Sequence, residues 1–381
     1  MNQVKIIKTK ENNQYIKGRG LPKGCQFCLK GQKTVLFING MCQKPNHCSW
    51  YCPISNERRG KNIAFADEIE ITSNEVLIEE INMIDAKGMS ITGGEPLSKF
   101  NLQKTLDYVE YVKEQKGQRF HIHLYTNGLN FNESIANDLA QVGLDEIRFH
   151  PPKSLWAHVK FALNKGFDIG AEVPVIPSKE KLKELQEFIK YLDHLGVDFI
   201  NLNEFEFCFP NSQVLKERGY QLKKDTIASV VNSQEVALDL IMELSNDVSM
   251  KMHFCPIHSK DYYQLKYRYL RRAKNVRLPY EVISDEGLLI FGQIEGKKSN
   301  IEKLYNTMLT QMKIDKNLMI SEGDSLKLPF DISIDNRIIS LYEKLHLTGS
   351  IVEMTPFREK KYQQVTEKTP IKLFKKEFGY A

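Results

Sequence analysis

Cysteines are concentrated near the start of this 381-residue chain, since five of its seven lie between positions 25 and 52. Where thiols stay reduced, as in the cytosol, such a group binds metal or does chemistry more often than it forms disulfides. Its last three members are Cys42, Cys48 and Cys52. Three thiolates on one loop can hold three irons of a [4Fe–4S] cluster and leave the fourth iron open. They can equally serve zinc, so the cysteines alone leave both interpretations open.

The remaining four cysteines could form a second metal centre. Cys25 and Cys28 have the C-x2-C spacing of half a metal site, and Cys255 lies in the polar segment His253–His258. Together with Cys208, they could complete a second [4Fe–4S] cluster or a zinc site. Of the four, Cys208 is the weakest candidate ligand, because it lies between two phenylalanines, where a cysteine is often only buried.

A second motif, Thr-Gly-Gly-Glu-Pro at Thr92–Pro96, follows the cysteine triplet. Gly93 and Gly94 would let a ligand approach the backbone, and Glu95 offers a carboxylate that can pair with an amine. Alone, such a segment could be an ordinary turn. At the end of a predicted strand and downstream of the triplet, it indicates a ligand site.

Parallel strands joined by helices would bring these motifs together. After residue 33 the chain alternates β-rich runs with amphipathic stretches such as Lys181–Leu195, which is the pattern of successive βαβ units. The predicted strands are Thr34–Gly40, Met89–Gly93, Arg119–Thr126, Glu146–His150, Asp168–Ile176, Phe199–Phe207 and Val248–Cys255. Their spacing suits a partial (β/α) barrel and also a doubly wound sheet. In either fold the loops at the carboxyl ends of the strands carry the functional site.

The same patterns predict three parts of the chain. Residues 1–33 form an N-terminal extension with the C-x2-C pair, and residues 34–275 form the barrel. Residues 276–381 form a small α+β domain, in which two strands are predicted within Glu281–Glu295 and a final strand at Ser350–Thr355.

The cysteine triplet after the first strand and the Gly-Gly-Glu-Pro motif after the second resemble the radical SAM superfamily. This resemblance implies a partial (β/α) barrel in which the open iron of a [4Fe–4S] cluster chelates S-adenosylmethionine. One-electron cleavage of S-adenosylmethionine then yields a 5′-deoxyadenosyl radical that removes a hydrogen atom from a substrate. The spacing here, Cys42-x5-Cys48-x3-Cys52, is longer than the superfamily's usual C-x3-C-x2-C.

Within the superfamily, the chain is similar to archaeal proteins related to pyruvate formate-lyase activating enzyme. Three segments carry this similarity: Gly24–Gly31, Phe120–Gly128 and Lys260–Asn275. The similarity concerns fold and cofactor and leaves the substrate open.

The resemblance also implies which residues bind S-adenosylmethionine. Gly93, Gly94 and Glu95 would hold its amino group. Tyr51, which precedes the third cysteine, matches the aromatic position that lies beside the adenine.

Further candidates lie at the ends of the third and fourth predicted strands. Tyr125, Thr126 and Asn127 are similar in position to residues that touch the ribose or the carboxylate of S-adenosylmethionine. Arg148 lies in an apolar run, where a buried cation needs an anionic partner. The carboxylate of S-adenosylmethionine and the side chain of Glu172 are the two candidate partners.

Charge and hydropathy limit the location and the partners. The net charge of +5 is only mildly basic, but Lys266–Lys274 and Arg358–Tyr362 interleave cations with aromatics. These segments are either solvated helix faces or contacts for RNA phosphates. The sequence shows neither a signal peptide nor an apolar run near the ~18 residues that a membrane span needs. A cytoplasmic protein with no membrane partner is therefore expected.

These observations favour a radical SAM enzyme that modifies a macromolecule, with RNA preferred over protein because of the basic segments. An electron donor of the reduced ferredoxin or flavodoxin type is expected as a partner. One alternative is an activating enzyme that generates a glycyl radical on a partner enzyme. An alternative of another class is a zinc-stabilised, non-catalytic RNA-binding protein.

Overall fold

The computed structural model describes residues 5–380, which form two compact units. The boundary falls between Leu265 and Lys266. A helix at Leu265–Val276 therefore belongs almost entirely to the second unit, whereas the division predicted from the sequence placed it with the barrel. Each unit has its own sheet and its own apolar core.

The first unit is built on one mixed sheet. Its strands are β1 (Ile6–Lys8), β2 (Gln14–Ile16), β3 (Lys33–Phe37), β4 (Phe65–Ala66), β5 (Ile69–Glu70), β6 (Gly88–Thr92), β7 (His121–Thr126), β8 (Glu146–Phe149), β9 (Asp168–Val175), β10 (Phe199–Glu204) and β11 (Lys251–Cys255). Each strand predicted from the sequence between positions 34 and 255 overlaps one of these, with bounds that differ by a few residues.

The order of the strands distinguishes the two folds that the sequence left open. Neighbours run β3-β6-β7-β8-β9-β10-β11, and every adjacent pair in this series is parallel. A doubly wound sheet would reverse its winding part-way along, whereas here each strand adds to the same side. This order confirms the predicted partial (β/α) barrel.

Antiparallel pieces cover both edges of the parallel series. β2 pairs with β11 and β1 pairs with β2, while β4 pairs with β3 and β5 with β4. Covered edges of this kind leave fewer backbone groups open to pairing with another chain.

Most helices of the first unit pack on the outer face of the sheet. The helices are α1 (Lys23–Cys28), α2 (Asn74–Met83), α3 (Leu102–Lys116), α4 (Glu133–Gln141), α5 (Lys179–Leu195), α6 (Ser212–Glu217) and α7 (Ser233–Leu244). Helix α1 lies inside, and the buried Leu215 of α6 packs with Phe205 and with Tyr51 of the cysteine loop. A 3-10 helical segment, Lys153–Ala162, follows β8, and a π-helical turn, Ser259–Gln264, follows β11. Helix α5 illustrates how the sequence sets the ends: Ser178 caps its start and Gly196, in the left-handed conformation, ends it.

The short helix α1 lies against the inner face of the sheet. The backbone N–H of Gly24 donates to Glu146 of β8 at 3.2 Å. A Cβ atom at this position would lie 2.5 Å from Arg148 Nη2 and 2.7 Å from His123 Nδ1, so only glycine fits. Helix α1 therefore fills part of the space inside the barrel.

Side chains alternate between the two faces of each strand, and the two faces differ in polarity. Outward residues such as Ile122, Leu124 and Ile147 are buried in the apolar core against the helices. The inward side chains of β7 to β11 are mainly polar, and they are His123, Tyr125, Glu146, Arg148, Glu172, Asn201, Asn203 and His253. The apolar core thus lies outside the sheet, and the interior of the barrel holds the polar chemistry.

The second unit is a small α+β domain. Its strands are β12 (Val282–Ile283), β13 (Leu289–Glu295), β14 (Ile320–Glu322), β15 (Ser325–Leu328), β16 (Thr348–Met354) and β17 (Val365–Pro370). Its helices are α8 (Leu265–Val276), α9 (Lys298–Thr310), α10 (Phe330–Ser333), α11 (Asn336–Lys344) and α12 (Ile371–Phe378). The strands pair antiparallel in the order β14-β15-β13-β16-β17, with β12 beside β13.

One sequence prediction about this unit is wrong. Ser350–Thr355 was expected to be the last strand, but β17 and α12 follow it. Strand β17 reads Val-Thr-Glu-Lys-Thr-Pro and is almost fully exposed, because it lies at the edge of the sheet. An edge strand that buries one residue has no apolar alternation from which it could be predicted.

The two basic segments belong to this unit and take part in its packing. Arg272 is buried, with its guanidinium 4.3 Å from the centre of the Phe357 ring. Arg358 forms an ion pair with Glu281 and donates to the carbonyl oxygen of Val276 at 3.0 Å. At least these two cations therefore stabilise the fold.

Candidate functional site

A cavity of about 390 Å³ opens at the carboxyl ends of the barrel strands. Cys42, Cys48 and Cys52 line it, together with the Gly-Gly-Glu-Pro segment after β6. We call it the outer cavity. The structure thus brings together the cysteine triplet and the Gly-Gly-Glu-Pro segment, which the sequence separates by one helix and three strands.

The three thiols of the outer cavity belong to the loop between β3 and β4. Cys42 is exposed and the other two are half-buried. Partial desolvation in the cavity raises the pKa of Cys42 to about 11 and that of Cys48 to about 12, and the neighbouring thiols add to the shift. The Cys48 thiol donates to Asn46 Oδ1 at 2.9 Å. As free thiols Cys42 and Cys48 stay protonated near neutral pH, so a bound cation is needed to hold them as thiolates.

The arrangement of the thiols indicates which metal centre they suit. Among residues 5–380, no three His, Cys, Asp or Glu side chains are placed to hold a single metal ion. A zinc site needs such a compact tetrahedral set. In a [4Fe–4S] cluster each cysteine binds a different iron, so its ligands stand farther apart. Three thiols on one cavity wall match the three cysteine ligands of a cluster that leaves its fourth iron open.

The two glycines of the second motif allow the ends of β6 and β3 to approach closely. A Cβ on Gly94 would lie 1.9 Å from the carbonyl oxygen of Met41, and one on Gly93 would lie 2.5 Å from that of Asn39. Gly93 also has a φ of +134°, which other residues rarely adopt. The N–H groups of Gly94 and Glu95 donate to Asn39 and Met41. The glycines thus position the start of the cysteine loop.

Glu95 links the ends of β6 and β7. Its buried carboxylate accepts hydrogen bonds from Thr126 Oγ1 at 2.7 Å, from the Asn127 N–H at 2.7 Å and from the Leu97 N–H at 3.0 Å. Burial raises the pKa of Glu95, although these three donors act in the opposite direction. Thr126 and Asn127, both predicted from the sequence, line the outer cavity beside it.

Tyr51 lies on the wall of the outer cavity. Its hydroxyl lies 2.9 Å from Nε2 of His150, and its ring packs against Trp50 and Phe205. Burial, together with His47, lowers the pKa of His150 to about 3, so this imidazole is neutral. The pair fixes the orientation of the tyrosine ring.

A second cavity, of about 70 Å³, lies inside the barrel, and we call it the inner cavity. Cys25 and Cys28 of α1 line it, and so does Cys255 at the end of β11. The structure therefore brings together the three stronger candidates for a second centre. Cys208 is elsewhere: it follows β10 and interacts electrostatically with Cys52 of the outer cavity.

Arg148 lines the inner cavity and is fully engaged there. Its guanidinium donates to Glu146 at 2.5 Å and to Glu172 at 2.6 Å, and Tyr125 accepts a longer bond at 3.3 Å. Burial alone would raise the pKa of both carboxyls. Arg148, together with His121 at Glu146 and with Asn203 and Asn201 at Glu172, outweighs burial and lowers each pKa to about 2. Glu172, one of the two partners that the sequence suggested for Arg148, is thus paired with it.

The two cavities share a wall. It consists of Lys33, Tyr125, Glu172, Asn203 and Lys260. Neither Lys33 nor Lys260 was predicted from the sequence as a site residue. Lys33 begins an apolar strand and its inward position follows from alternation with Val35, so the pattern contained a signal; the π-helical turn that places Lys260 leaves no such signal.

Comparisons with known proteins agree with this geometry. A family described as "4Fe-4S single cluster domain" matches residues 30–147, which include the cysteine triplet and the Gly-Gly-Glu-Pro segment. A Methanocaldococcus jannaschii protein named "Putative glycyl-radical enzyme activating enzyme MJ0021" is 37% identical over 318 residues, or 79% of this chain and 82% of its own length. The chain belongs to the radical SAM superfamily. It is an enzyme of that superfamily, which uses a [4Fe–4S] cluster and S-adenosylmethionine.

Solved structures of radical SAM enzymes are also similar to the chain. SuiB of Streptococcus suis bound to S-adenosylmethionine is 13% identical, with a TM-score of 0.41 over 59% of this chain and 50% of that one. Methylornithine synthase is 10% identical, with a TM-score of 0.40 over 58% of this chain and 69% of that one. None of the helices in residues 5–380 is both long and apolar enough to cross a membrane.

Proposed function

We propose that this radical SAM enzyme is an activating enzyme, which removes a hydrogen atom from a glycine of a partner protein. The observation that carries the proposal is the 37% identity to the Methanocaldococcus jannaschii protein over most of both chains. That protein is named as an activating enzyme for a glycyl-radical enzyme. The proposal replaces the preference for RNA that the basic segments had suggested.

Two features of the structure support a protein partner over RNA. Arg272 and Arg358, one from each basic segment, pack within the second unit, so they are less available to phosphates. Apolar side chains are instead exposed after the barrel strands. Phe209 and Ile227 are each 87% exposed and Phe100 is 70% exposed. Phe209 directly follows Cys208, which interacts with Cys52, so it lies near the outer cavity. An apolar surface of this kind suits a protein better than a polyanion.

Different residues of the outer cavity would bind the cluster, support the strand ends and orient S-adenosylmethionine. Cys42, Cys48 and Cys52 would hold the cluster, and Glu95 would keep the ends of β6 and β7 together. Tyr51 would provide a flat face beside a bound nucleoside. When bound, the cluster and S-adenosylmethionine supply the radical that removes the hydrogen atom. A reduced ferredoxin or flavodoxin would supply the electron.

Transfer of deuterium tests the proposal. Cells grown on [2-²H]glycine would provide a labelled macromolecular fraction, which is incubated anaerobically with the reconstituted enzyme, S-adenosylmethionine and dithionite. Mass spectrometry then measures deuterium in the released 5′-deoxyadenosine. We expect deuterium that survives ribonuclease treatment of the fraction and is lost after protease treatment. Loss after ribonuclease alone would identify RNA as the substrate and contradict the proposal.

The exposed apolar residues give a matched pair of variants. Phe209→Ser with Ile227→Ser should reduce deuterium transfer from the macromolecular fraction. When no substrate is present, these variants should cleave S-adenosylmethionine as fast as the wild type, because neither side chain lines the outer cavity. Phe378→Ser, at an exposed position of the second unit, provides the control and should leave both quantities unchanged.

A further inference from the structure

We propose that Cys25, Cys28 and Cys255 hold a second iron–sulfur cluster inside the barrel, separate from that of the outer cavity. These three thiols line the inner cavity although they lie near opposite ends of the first unit's sequence. The inference goes beyond the proposed function, because it concerns a site that neither the hydrogen abstraction nor the partner requires.

Local geometry directs the three thiols to one place. Cys25 and Cys28 are three residues apart on α1, so they share one face of the helix. Cys255 is two residues from His253 on β11, so both side chains point to the inner face of the sheet. The register of β11 with β10 sets Cys255 opposite Asn203 and His253 opposite Asn201. The cysteines are therefore placed by a helix and a strand, which are more precise supports than a loop.

Hydrogen-bond donors surround the sulfur of Cys25. Asn201 Nδ2 lies 3.2 Å from it and Arg148 Nη2 lies 3.5 Å from it. Both donors are themselves held, since Glu172 accepts from Arg148 at 2.6 Å and from Asn201 at 3.0 Å. The buried imidazole of His253 lies 2.9 Å from Asn201 Oδ1. Donors fixed in this way around a cysteine sulfur are the surroundings that tune iron–sulfur clusters.

The charges on the cavity wall are compatible with an anionic occupant. Lys33, Arg148 and Lys260 line the inner cavity, and Glu172 is the only carboxylate among the described residues that line it. Arg148 also pairs with Glu146, and Glu206 is the carboxylate that acts most strongly on the half-buried Lys260. A [4Fe–4S] core with three thiolates carries a net charge of about −1, which the nearby cations would stabilise.

The number of available ligands also bears on the type of centre. Three cysteines can each bind a different iron of a cluster, whereas a structural zinc site needs four protein ligands. His253 lines the inner cavity, but its two ring nitrogens lie 2.9 Å from Asn201 Oδ1 and 2.8 Å from Asn13 Oδ1, so it is already engaged.

Iron content of the full-length protein tests the inference without any partner or turnover. After anaerobic reconstitution with iron and sulfide, we expect ~8 irons per chain for two clusters. The variant with Cys42, Cys48 and Cys52 replaced by Ala should keep ~4 irons, and the electron paramagnetic resonance spectrum of its reduced form should not respond to S-adenosylmethionine. Because this variant leaves the barrel interior intact, its result does not depend on mutating buried residues.

The reciprocal variant, Cys25→Ala with Cys28→Ala, should also keep ~4 irons, now with a spectrum that responds to S-adenosylmethionine. Cys208→Ala is the matched control and should keep ~8 irons, because Cys208 does not line the inner cavity. An iron-free variant of the outer triplet would overturn the inference. So would about one zinc per chain that is lost on replacing Cys25 and Cys28. Failure of the deuterium transfer experiment would leave these results unaffected.

Discussion

The two groups of cysteines are held in opposite ways. The outer group lies on a single loop, where Cys42 is exposed and Cys48 and Cys52 are half-buried. The inner group is split between helix α1 and the end of β11, and Cys25 is buried among fixed donors. A loop can move to admit S-adenosylmethionine and a substrate, whereas a helix and a strand hold their ligands in place. The outer group is therefore suited to a site where bound molecules exchange, and the inner group to a site whose metal ligands stay fixed.

Removing the outer thiols should have the largest effect. With Cys42, Cys48 and Cys52 replaced by Ala, we expect release of 5′-deoxyadenosine to fall below detection, because no ligands remain for the iron that binds S-adenosylmethionine. Chromatography of anaerobic reactions measures the release. Cys208→Ala should retain cleavage, and cleavage by the triple variant would contradict the assignment of the outer group.

Helix α1 is held by the buried carboxylate of Glu146, and a substitution of Glu146 tests how much this contact stabilises the protein. This carboxylate is fully buried and bonds both Arg148 and the N–H of Gly24. Glu146→Gln should lower the free energy of unfolding by about 4 kcal/mol, because Arg148 would lose one of its anionic partners. Denaturation by guanidinium at pH 7 measures the change. The pair of half-buried Lys165 and exposed Glu133 provides the control, and Glu133→Gln should cost less than about 1 kcal/mol.

The position of the outer loop depends on a close backbone contact, which Gly94→Ala would disrupt. The new Cβ would lie 1.9 Å from the carbonyl oxygen of Met41. We expect a loss of about 3 kcal/mol in the free energy of unfolding and a loss of outer-cluster iron, with the inner iron retained. Gly60→Ala is the control: its φ is +73° but no atom lies within 4 Å of the added Cβ. It should cost only the backbone strain of about 1–2 kcal/mol.

The smallest effect is a dependence on pH. The pKa of buried His150 is lowered to about 3, whereas an unfolded histidine titrates near ~6.5. Between these values the unfolded chain binds a proton that the folded chain does not. Stability should therefore fall as the pH drops below ~6.5, by about 1.4 kcal/mol per pH unit from this residue. His150→Gln should remove that part of the slope in denaturation series at pH 7.0 to 5.5.

The sequence predicted the scaffold better than the details of the site. Strand β6 is a short, mainly apolar run, and β8 alternates apolar residues that face the helices with polar residues that face inward, so both were evident. Their order was not, because it depends on contacts between distant parts of the chain. The same limit explains why Cys208 was grouped with Cys255, since both follow strands but lie near different cavities.

The N-terminal hairpin sets a condition on how the protein is made. Strand β2 completes the sheet by pairing with β11, in a register that sets Tyr15 beside His253. A ribosome must therefore synthesise nearly the whole first unit before its first strands find their partner. Until then the thiols of α1 are not enclosed by the finished barrel. The proposed inner cluster can therefore be assembled only after this unit has been translated.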